Sequence, residues 1–580
     1  MRLICAIIFV FSIFEASAQS DSTDIKTWRQ LSSIPDSNNY NLFFGGPTSV
    51  YRSIFFEAYK INQIAKNSMF VDEQEDIPYL WNNSPIVDAQ YIIGDQLEQN
   101  LALYHNQAIS QNVNYAVSFL KRSHEGYLLN QATNSNFFQS LYHYNSVAGK
   151  YSLLIGLKHH RIYNQQNGGL TNDSSFFDTD NNFSNRKLLN VNMNHAFSND
   201  KLWKAYVKQE FKLNSTHDSL LNITKSKKIL YNLNYTRKYR NYYDSLAADN
   251  FLYNHFDSIV TNDSLIKDNI SNSFYFEKVE FSDSISKKFI LGLNSDFIFH
   301  KNMAIDTLFN NQSLFFQYKK HTLQNDFSFS SNYFFMGYRK NNYDMSLQWN
   351  QEVSSNLFFN CDLSYNNFRP VYEFQNFQSN HQIWTKSYNN ITVQSAEASL
   401  KHKKLSYHFN YTSISQPIYF NSFSNPVQYD GNAQVIQSTL RHRLLKNNLR
   451  LLTEVIYQYQ GGAQIFQLPD LIGQLKLNYL LNIKKANLKI DFGINGKYFS
   501  SFDLMDYSPS TNQFSLSNNA NQPQYFILDF SAKSQIKNVT VYAMYTHLNA
   551  GLLGYNYFAA SHYPIPERYL KFGLKWLFLN

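Results

Sequence analysis

Apolar and polar residues alternate along this chain, and little else in it narrows the choice of fold as far. From about Val87 to the C-terminus the alternation runs in segments of about ten residues, the pattern of strands with one apolar and one polar face. Leu405, Tyr407, Phe409 and Tyr411 share a face against Ser406, His408, Asn410 and Thr412. Leu488, Ile490, Phe492 and Ile494 oppose Lys489, Asp491, Gly493 and Asn495, and Ile229, Tyr231, Leu233 and Tyr235 oppose Leu230, Asn232, Asn234 and Thr236. The final segment sets Leu570, Phe572, Leu574, Trp576 and Phe578 against Tyr569, Lys571, Gly573 and Lys575. Helical periodicity is confined to a short stretch near Phe55 to Ile64. The predicted fold is all-β.

Connection lengths turn strands into a topology. Strands are expected near 343–350, 356–366, 390–402, 404–414, 433–444, 448–459, 474–483, 486–499, 524–535, 538–548 and 568–579. Links near Lys403, Lys446, Lys484 and Lys537 are short, whereas those at 367–389, 415–432, 500–523 and 549–567 are long. Short turns on one rim and long loops on the other describe a transmembrane antiparallel β-barrel, with short periplasmic turns and long extracellular loops. The earlier half is less regular, with strands near 87–93, 99–109, 112–122, 137–145, 150–163, 188–198, 201–213, 227–239, 274–282 and 287–300, and room for two more between 311 and 338. The total lies between about 18 and 22 strands, an even number if both ends share a rim.

Composition separates a barrel in lipid from a sheet in water. The 580 residues would make about three or four soluble domains, yet no linkers divide them. The chain holds 49 Phe and 43 Tyr at a mean hydropathy of -0.42. Some twenty strands with aromatic faces would show water far more apolar surface than the few hundred Å² a soluble monomer tolerates. Lipid removes that conflict, and closure removes the unpaired edges. Tyr498, Phe499, Phe502, Tyr457 and Tyr459, at strand ends, suit interfacial aromatic girdles; as ordinary cross-strand pairs they would suit a β-sandwich. The formal charge of +8 includes no Lys/Arg runs, so no nucleic-acid partner is expected.

The N-terminus reads as an export signal. Met1 and Arg2 precede an apolar run from Leu3 to Phe14, then Ala16-Ser17-Ala18 before Gln19, the charged, apolar and small-residue order of a secretory signal peptide. Cleavage between Ala18 and Gln19 is expected, giving a signal at 1–18, a periplasmic or plug segment at 19–85 and a barrel at 86–580. Cys5 would leave with the signal, so the mature chain keeps only Cys361 and no internal disulfide.

Several blocks then resemble a known family. Tyr91-Ile92-Ile93-Gly94, Glu98-Gln99-Asn100 and His105-Asn106-Gln107 resemble its first hairpin, and Asn164-Gln165-Gln166-Asn167-Gly168-Gly169 its Asn/Gln/Gly-Gly loop. Ser379-Asn380-His381-Gln382-Ile383-Trp384 and Pro417-Ile418-Tyr419-Phe420 match internal blocks. Toward the end come Gln467-Leu468-Pro469, Lys497-Tyr498-Phe499, Tyr507-Ser508-Pro509, Tyr563-Pro564-Ile565-Pro566-Glu567-Arg568 and Phe572-Gly573-Leu574-Lys575-Trp576. In this order they resemble the putative porin family of Bacteroidetes outer membranes, with Pro85-Ile86-Val87 where that family commonly has Pro-Tyr-Thr. The resemblance implies an outer-membrane location and a barrel more firmly than any transported molecule. Leu574, Trp576 and Phe578 also resemble the last-strand signal read by barrel-assembly machinery, although Leu579-Asn580 extend past the aromatic end.

If the apolar phase faces lipid, the other phase lines a lumen. That places Lys204, Lys208, Glu210 and Lys212 inside, then Arg450, Glu454 and Lys476, then Lys489, Asp491, Asp529 and Lys533, and last Lys571 and Lys575. The set is basic on balance, so a mild anion preference is expected, unless the charges pair across strands and only brace the wall. The stretch from Arg240 to Ser271 carries Asp244, Asp249, Asp257, Asp263 and Asp268 against Lys267 and reads as one long acidic loop: a constriction, a site for divalent ions with lipopolysaccharide, or a solvated tip. Asp178, Asp180 and Asn182 have calcium-loop spacing, but Phe183 and Leu189 stand where that loop needs Gly and Glu. Asp218-Ser219-Leu220, Asp244-Ser245-Leu246, Asp257-Ser258-Ile259, Asp263-Ser264-Leu265 and Asp306-Thr307-Leu308 resemble an O-glycosylation acceptor and equally ordinary turn chemistry.

No catalytic or cofactor motif is present. His159 and His160 are adjacent and so face opposite sides of a strand, and His195 and His408 suit interfacial or lumenal polar positions. The expectation is a non-enzymatic porin-like channel passing small hydrophilic solutes or ions, without cofactor, embedded in outer-membrane lipid and lipopolysaccharide, with one chain per barrel and a homo-oligomer such as a trimer left open. The alternatives are a plugged barrel serving as a surface-binding or adhesion platform, and a soluble secreted β-protein.

Overall fold

The computed structural model describes residues 68–70, 77, 84–177, 185–218, 223–245, 260–303 and 305–579. The signal, Ala18 and Gln19, the stretch near Phe55, the Asp178–Asn182 spacing, and Asp249 and Asp257 lie outside the described residues.

Twenty-two strands close into one antiparallel barrel. In chain order they are β1 (Ile86–Gly94), β2 (Glu98–Ser110), β3 (Val113–His124), β4 (Thr133–Asn145), β5 (Tyr151–Gln166), β6 (Ala196–Asp218), β7 (Ile223–Asp244), β8 (Thr261–Phe281), β9 (Ile285–Asn302), β10 (Ile305–Thr322) and β11 (Asn325–Met336). They continue as β12 (Tyr343–Ser354), β13 (Leu357–Phe368), β14 (Ile391–His402), β15 (Leu405–Ser415), β16 (Asn432–Lys446), β17 (Leu449–Gly462), β18 (Leu471–Ile483), β19 (Leu488–Phe499), β20 (Tyr525–Ile536), β21 (Val539–Thr546) and β22 (Tyr569–Leu579). Each strand pairs with the next, and β22 closes on β1 from Ile86 opposite Leu579 to Gly94 opposite Lys571. Closure leaves the barrel sheet itself without a free edge to recruit another chain.

The turns at 111–112, 323–324, 355–356, 403–404, 447–448 and 537–538 lie on one rim, together with the barrel's two ends. Lys403, Asn447 and Lys537 take positive φ in them, which tight hairpins need to match strand twist. The opposite rim carries the long connections at 167–195, 245–260, 369–390, 416–431, 500–524 and 547–568. Outer faces are apolar: Leu363, Leu400, Leu440, Tyr457, Phe492 and Phe572 all stand exposed on the wall.

Two sequence readings change. The segment read as a strand at 188–198 is strand only from Ala196, where β6 begins, and from there it runs unbroken through the one read at 201–213, because Asn199-Asp200 is not a turn: Asp200 is buried against Arg240 of β7. The stretch from Arg240 to Ser271, read as one acidic loop, is strand at both its ends, since β7 runs to Asp244 and β8 begins at Thr261. Strands β6 to β8 have 23, 22 and 21 residues, well beyond the roughly 10 a tilted strand needs to span a bilayer. Tyr151 at the start of β5 pairs with Phe211, so the end of β6 projects past its neighbour on the short-turn rim.

Inside the wall, tyrosine rings lie over glycines. Tyr206 of β6 is the direct partner of Gly156 in β5, and Tyr542 of β21 that of Gly573 in β22. A Cβ at either glycine would stand 2.1 Å from the tyrosine Cζ, so only glycine admits the ring.

Candidate functional site: the lumen and its closure

All thirteen charged residues assigned to the lumen lie on the strand phase opposite the exposed aromatics. On the closing seam, Lys571 Nζ donates to Glu98 Oε1 at 2.7 Å and Lys575 stands 3.3 Å from Asp88, all four side chains buried. Lys571 thereby staples β22 to β2 across β1. Arg441 donates to Glu454, Lys228 Nζ to Glu210 at 3.0 Å, and Asn478 Nδ2 to Asp491 at 2.9 Å. Asp529 accepts from Asn495 Nδ2 at 3.2 Å and from the His547 backbone N–H at 2.9 Å. Lys204 and Lys208 flank the Tyr206 ring at 5.6 and 5.1 Å. Lys476 and Lys533 line a small cavity with Asp529, Lys489 lies beside Asp491 on β19, and Lys212 and Arg450 are exposed near the short-turn rim. Many of these charges therefore brace the wall, as the pairing alternative had it. Leu574, Trp576 and Phe578 point outward and are about two-fifths exposed.

Tyr457 and Tyr459 are exposed on the outer phase of β17, where a girdle residue must stand, whereas Phe499 and Phe502 are not exposed. Those two are buried in an apolar cluster where the long loops meet, with Leu128, Leu170, Phe176, Leu189, Tyr557 and Phe558. Its polar latch is Arg186, which donates from Nε and Nη2 to the Glu567 carboxylate at 3.1 and 2.9 Å while its guanidinium lies 4.4 Å from the Phe176 ring and 4.7 Å from Tyr555. His562 Nδ1 sits 3.1 Å from Asp173, and that hydrogen bond raises the imidazole pKa against the opposing effect of burial.

Further ties run from loops to wall. Arg240 Nη1 donates to both Asp200 oxygens at 2.9 and 3.0 Å while its Nη2 donates to the Pro509 carbonyl at 2.8 Å. Asp263 accepts the Asn380 N–H at 3.1 Å, and His381 Nε2 lies 2.8 Å from Thr261 Oγ1. Gly169 and His562 meet where the Leu170 N–H donates to the His562 carbonyl at 2.8 Å. The blocks on which the resemblance rested, around Gly168-Gly169, Asn380-His381, Ser508-Pro509 and Pro566-Glu567, are thus the parts that fold this rim inward.

Described residues upstream of the barrel touch its inner wall and its loops. Ile77 N–H donates to Gln139 Oε1 on the inner face of β4 at 3.1 Å. Beyond it, Ser68 Oγ donates to Glu373 Oε1 at 2.6 Å and Gln513 Nε2 to the Ser68 carbonyl at 3.1 Å. Met69 and Phe70 are buried among Leu265, Phe374, Phe377, Trp384 and Phe420. Burial pushes the Glu373 carboxyl up, but Lys267, His300 and the Ser68 hydroxyl together hold it below its ordinary value. A cavity of about 500 Å³ opens on the inner wall of β6 to β8, and a smaller one beside it, sharing Lys238, is lined by Phe70. His159 stacks outward on Trp203 and His160 is buried inside, so the pair does not converge. His195 is exposed just before β6, and His408 is exposed on the inward phase of β15.

A closed, lipid-facing antiparallel barrel with a polar interior and short turns on the rim of its termini is an outer-membrane barrel of the transport type. Residues 17–580 match the family model described as "Putative porin", and the chain belongs to that family. None of the curated proteins compared with the sequence matches it. Among solved structures it is similar to the ferric-catecholate import receptor Fiu of E. coli K12, at 12% identity and a TM-score of 0.57 over 86% of this chain and 82% of that one. It is also similar to the siderophore receptor PirA of Acinetobacter baumannii, at 8% and 0.59 over 87% and 81%, and to the FrpB iron transporter of Neisseria meningitidis, at 9% and 0.59 over 85% and 81%. At such identities the likeness concerns the fold.

Proposed function

We propose that this protein is an outer-membrane conduit for small hydrophilic solutes whose extracellular end is held shut by its own loops and by the segment around Phe70. The observation that carries the proposal is the pairing of a charged, polar lumen with an inward-folded, hydrogen-bonded closure. A wall built only for anchorage would not need the first, and a freely open pore would not carry the second. The basic balance of the inner wall supports a mild anion preference once the lumen opens. The outward Leu574, Trp576 and Phe578 support recognition of β22 by barrel-assembly machinery before closure, and the N-terminal residues support export with cleavage after Ala18.

Solute flux into liposomes tests the conduit. Vesicles holding the native protein should admit small sugars and anions slowly, and vesicles holding Phe70→Ala should admit them several-fold faster. Flux in neither would contradict the conduit, and fast, equal flux in both would contradict the closure. Adhesion is a second reading, favoured by the exposed Phe423, Leu552 and Leu553 on the loop rim; a platform of that kind would bind surfaces and show no flux in either variant.

A further inference from the structure

On the outward phase of β3 to β6, near the loop rim, one cross-strand row is cationic. Lys121 of β3 pairs with Asn136 of β4, Asn136 with Arg161 of β5, and Arg161 with Lys201 of β6. Lys121 and Arg161 are exposed and Lys201 is partly buried. The outward row next to it, toward the middle of the wall, is aromatic: Phe119, Phe138, His159 and Trp203 are successive partners, with His159 stacked on Trp203 at 3.7 Å. Leu157 and Ile155 stand exposed below. On the other side of the cations, toward the loops, come Ser123, Asn134, Tyr163 and Asn199. Aliphatic, aromatic, cationic and neutral polar rows follow one another in the order in which a bilayer passes from hydrocarbon through headgroups to water.

The cationic row is not matched around the barrel. From β15 to β22 the outward phase near this rim holds no Lys or Arg and presents Tyr411, Tyr459, Tyr498 and Phe526 instead. Arg161 and Lys201 face one another although like charges directly opposite in a sheet repel. Their own contacts are with neutral groups: Arg161 Nε donates to Asn199 Oδ1 at 3.4 Å, and Lys201 Nζ lies 5.3 Å from the centre of the Tyr239 ring. Carboxylates of the same phase serve other groups, Asp268 beside Arg237, Asp306 beside Lys301, and Glu125 beside Lys187, while Asp95 receives the Leu570 N–H.

We propose that this strip seats a phosphorylated lipid of the extracellular leaflet, with its phosphate groups against Lys121, Arg161 and Lys201 and its acyl chains against Phe138 and Trp203. A guanidinium fork takes phosphate oxygens in pairs, and ammonium groups bind phosphate as point charges. Arg161 and Lys201 stand one strand spacing apart and Lys121 stands two spacings, roughly 10 Å, from Arg161, so the strip accommodates more than one phosphate. A phosphate between Arg161 and Lys201 would cancel their repulsion. A free phosphate would meet the same cations but make no use of the aromatic row beneath them. The proposal rests on the barrel standing in lipid and not on the conduit.

Native mass spectrometry of the detergent-solubilised full barrel tests this, with diphosphoryl lipid A as the probe and, for comparison, the same lipid stripped of phosphate and inorganic pyrophosphate. One retained diphosphoryl lipid per chain is expected, and the dephosphorylated lipid should be held at least about tenfold more weakly, roughly 1.4 kcal/mol. Arg161→Gln/Lys201→Gln should lose affinity for the diphosphoryl lipid by a similar factor, about tenfold or more. Lys446→Gln/Lys484→Gln, which removes the same charge from exposed positions at the short-turn rim, should bind as the native protein does. Heat-modifiable gel mobility reports whether each variant is folded, and should the first fail to fold, Lys121→Gln alone carries the comparison. Equal retention of the dephosphorylated lipid, or equal effects in the two folded variants, would overturn the site. Pyrophosphate held as tightly as the lipid would overturn the lipid as its occupant.

Discussion

Replacing Glu567 by glutamine strikes the closure at its best-defined point. In the native protein both carboxylate oxygens receive the Arg186 guanidinium, whose side chain is only 9% exposed, against 26% for Glu567. The amide of Glu567→Gln would keep the shape and one acceptor but remove the carboxylate charge from beside a buried cation. Truncating one partner of a buried, hydrogen-bonded charge pair costs about 2–5 kcal/mol; with Glu567 partly wet, the lower end, about 2–3 kcal/mol, applies. At 1.4 kcal/mol per factor of ten, the closed-to-open ratio of this loop pair falls roughly 30- to 150-fold. Single-channel recording in planar bilayers should show open probability rising by a comparable factor, and protease should cut within 167–195 correspondingly faster. Arg186→Lys, which keeps the charge but loses the fork, should fall between the two. Unchanged open probability and unchanged cleavage in a folded Glu567→Gln protein would refute the assignment of the latch.

Other outcomes follow from neighbouring contacts. Because the His562 pKa is raised above its ordinary 6.5 by Asp173, their contact is complete below that value and is lost as pH climbs through the raised one; protection of the amides around Gly169, taken relative to their intrinsic base-catalysed exchange, should therefore fall toward alkaline pH, and His562→Gln should abolish that fall. On the seam, Glu98→Gln or Lys571→Met alone should cost about 3–5 kcal/mol in denaturant unfolding, and Glu98→Leu/Lys571→Met together far less. Gly573→Ala should cost about 1–3 kcal/mol by forcing the Tyr542 ring from its seat, visible as a lower unfolding temperature.

The sequence carried the wall well and the closure poorly, for a physical reason. Strand orientation is local: Leu405 to Thr412 alternate every residue, and the short links at Lys403 and Lys537 mark where the chain reverses. From Tyr343 onward such links recur, and the expected strands agree with β12 to β22 to within a few residues. Strands β6 to β8 were obscured because their lumen faces carry Asn, Asp and Ser, residues that elsewhere mark turns. Asp200 and Asp263 look like loop residues until Arg240 and the Asn380 backbone are seen to occupy them. Lys267 reads as the one cation of an acidic loop and Lys238 as part of the strand at 227–239, so the sequence does not show that the two are cross-strand partners. Contacts such as Arg186 with Glu567 and Ser68 with Glu373 span hundreds of residues and leave no mark in local spacing. Neighbouring blocks such as Tyr563 to Arg568 marked where such contacts lie without saying what they touch.

Transport through this protein depends on hydrocarbon touching one phase of the strands and an enclosed polar lumen the other. Spin labels placed one at a time from Leu405 to Thr412, in a Cys361→Ala background reconstituted in vesicles, test this directly through their collision rates with dissolved oxygen and with a water-soluble nickel chelate. Oxygen accessibility should peak at Leu405, Tyr407, Phe409 and Tyr411, with the intervening positions out of phase throughout. Uniform exposure to the nickel reagent, or a pattern without a two-residue period, would contradict the barrel in lipid and everything built on it.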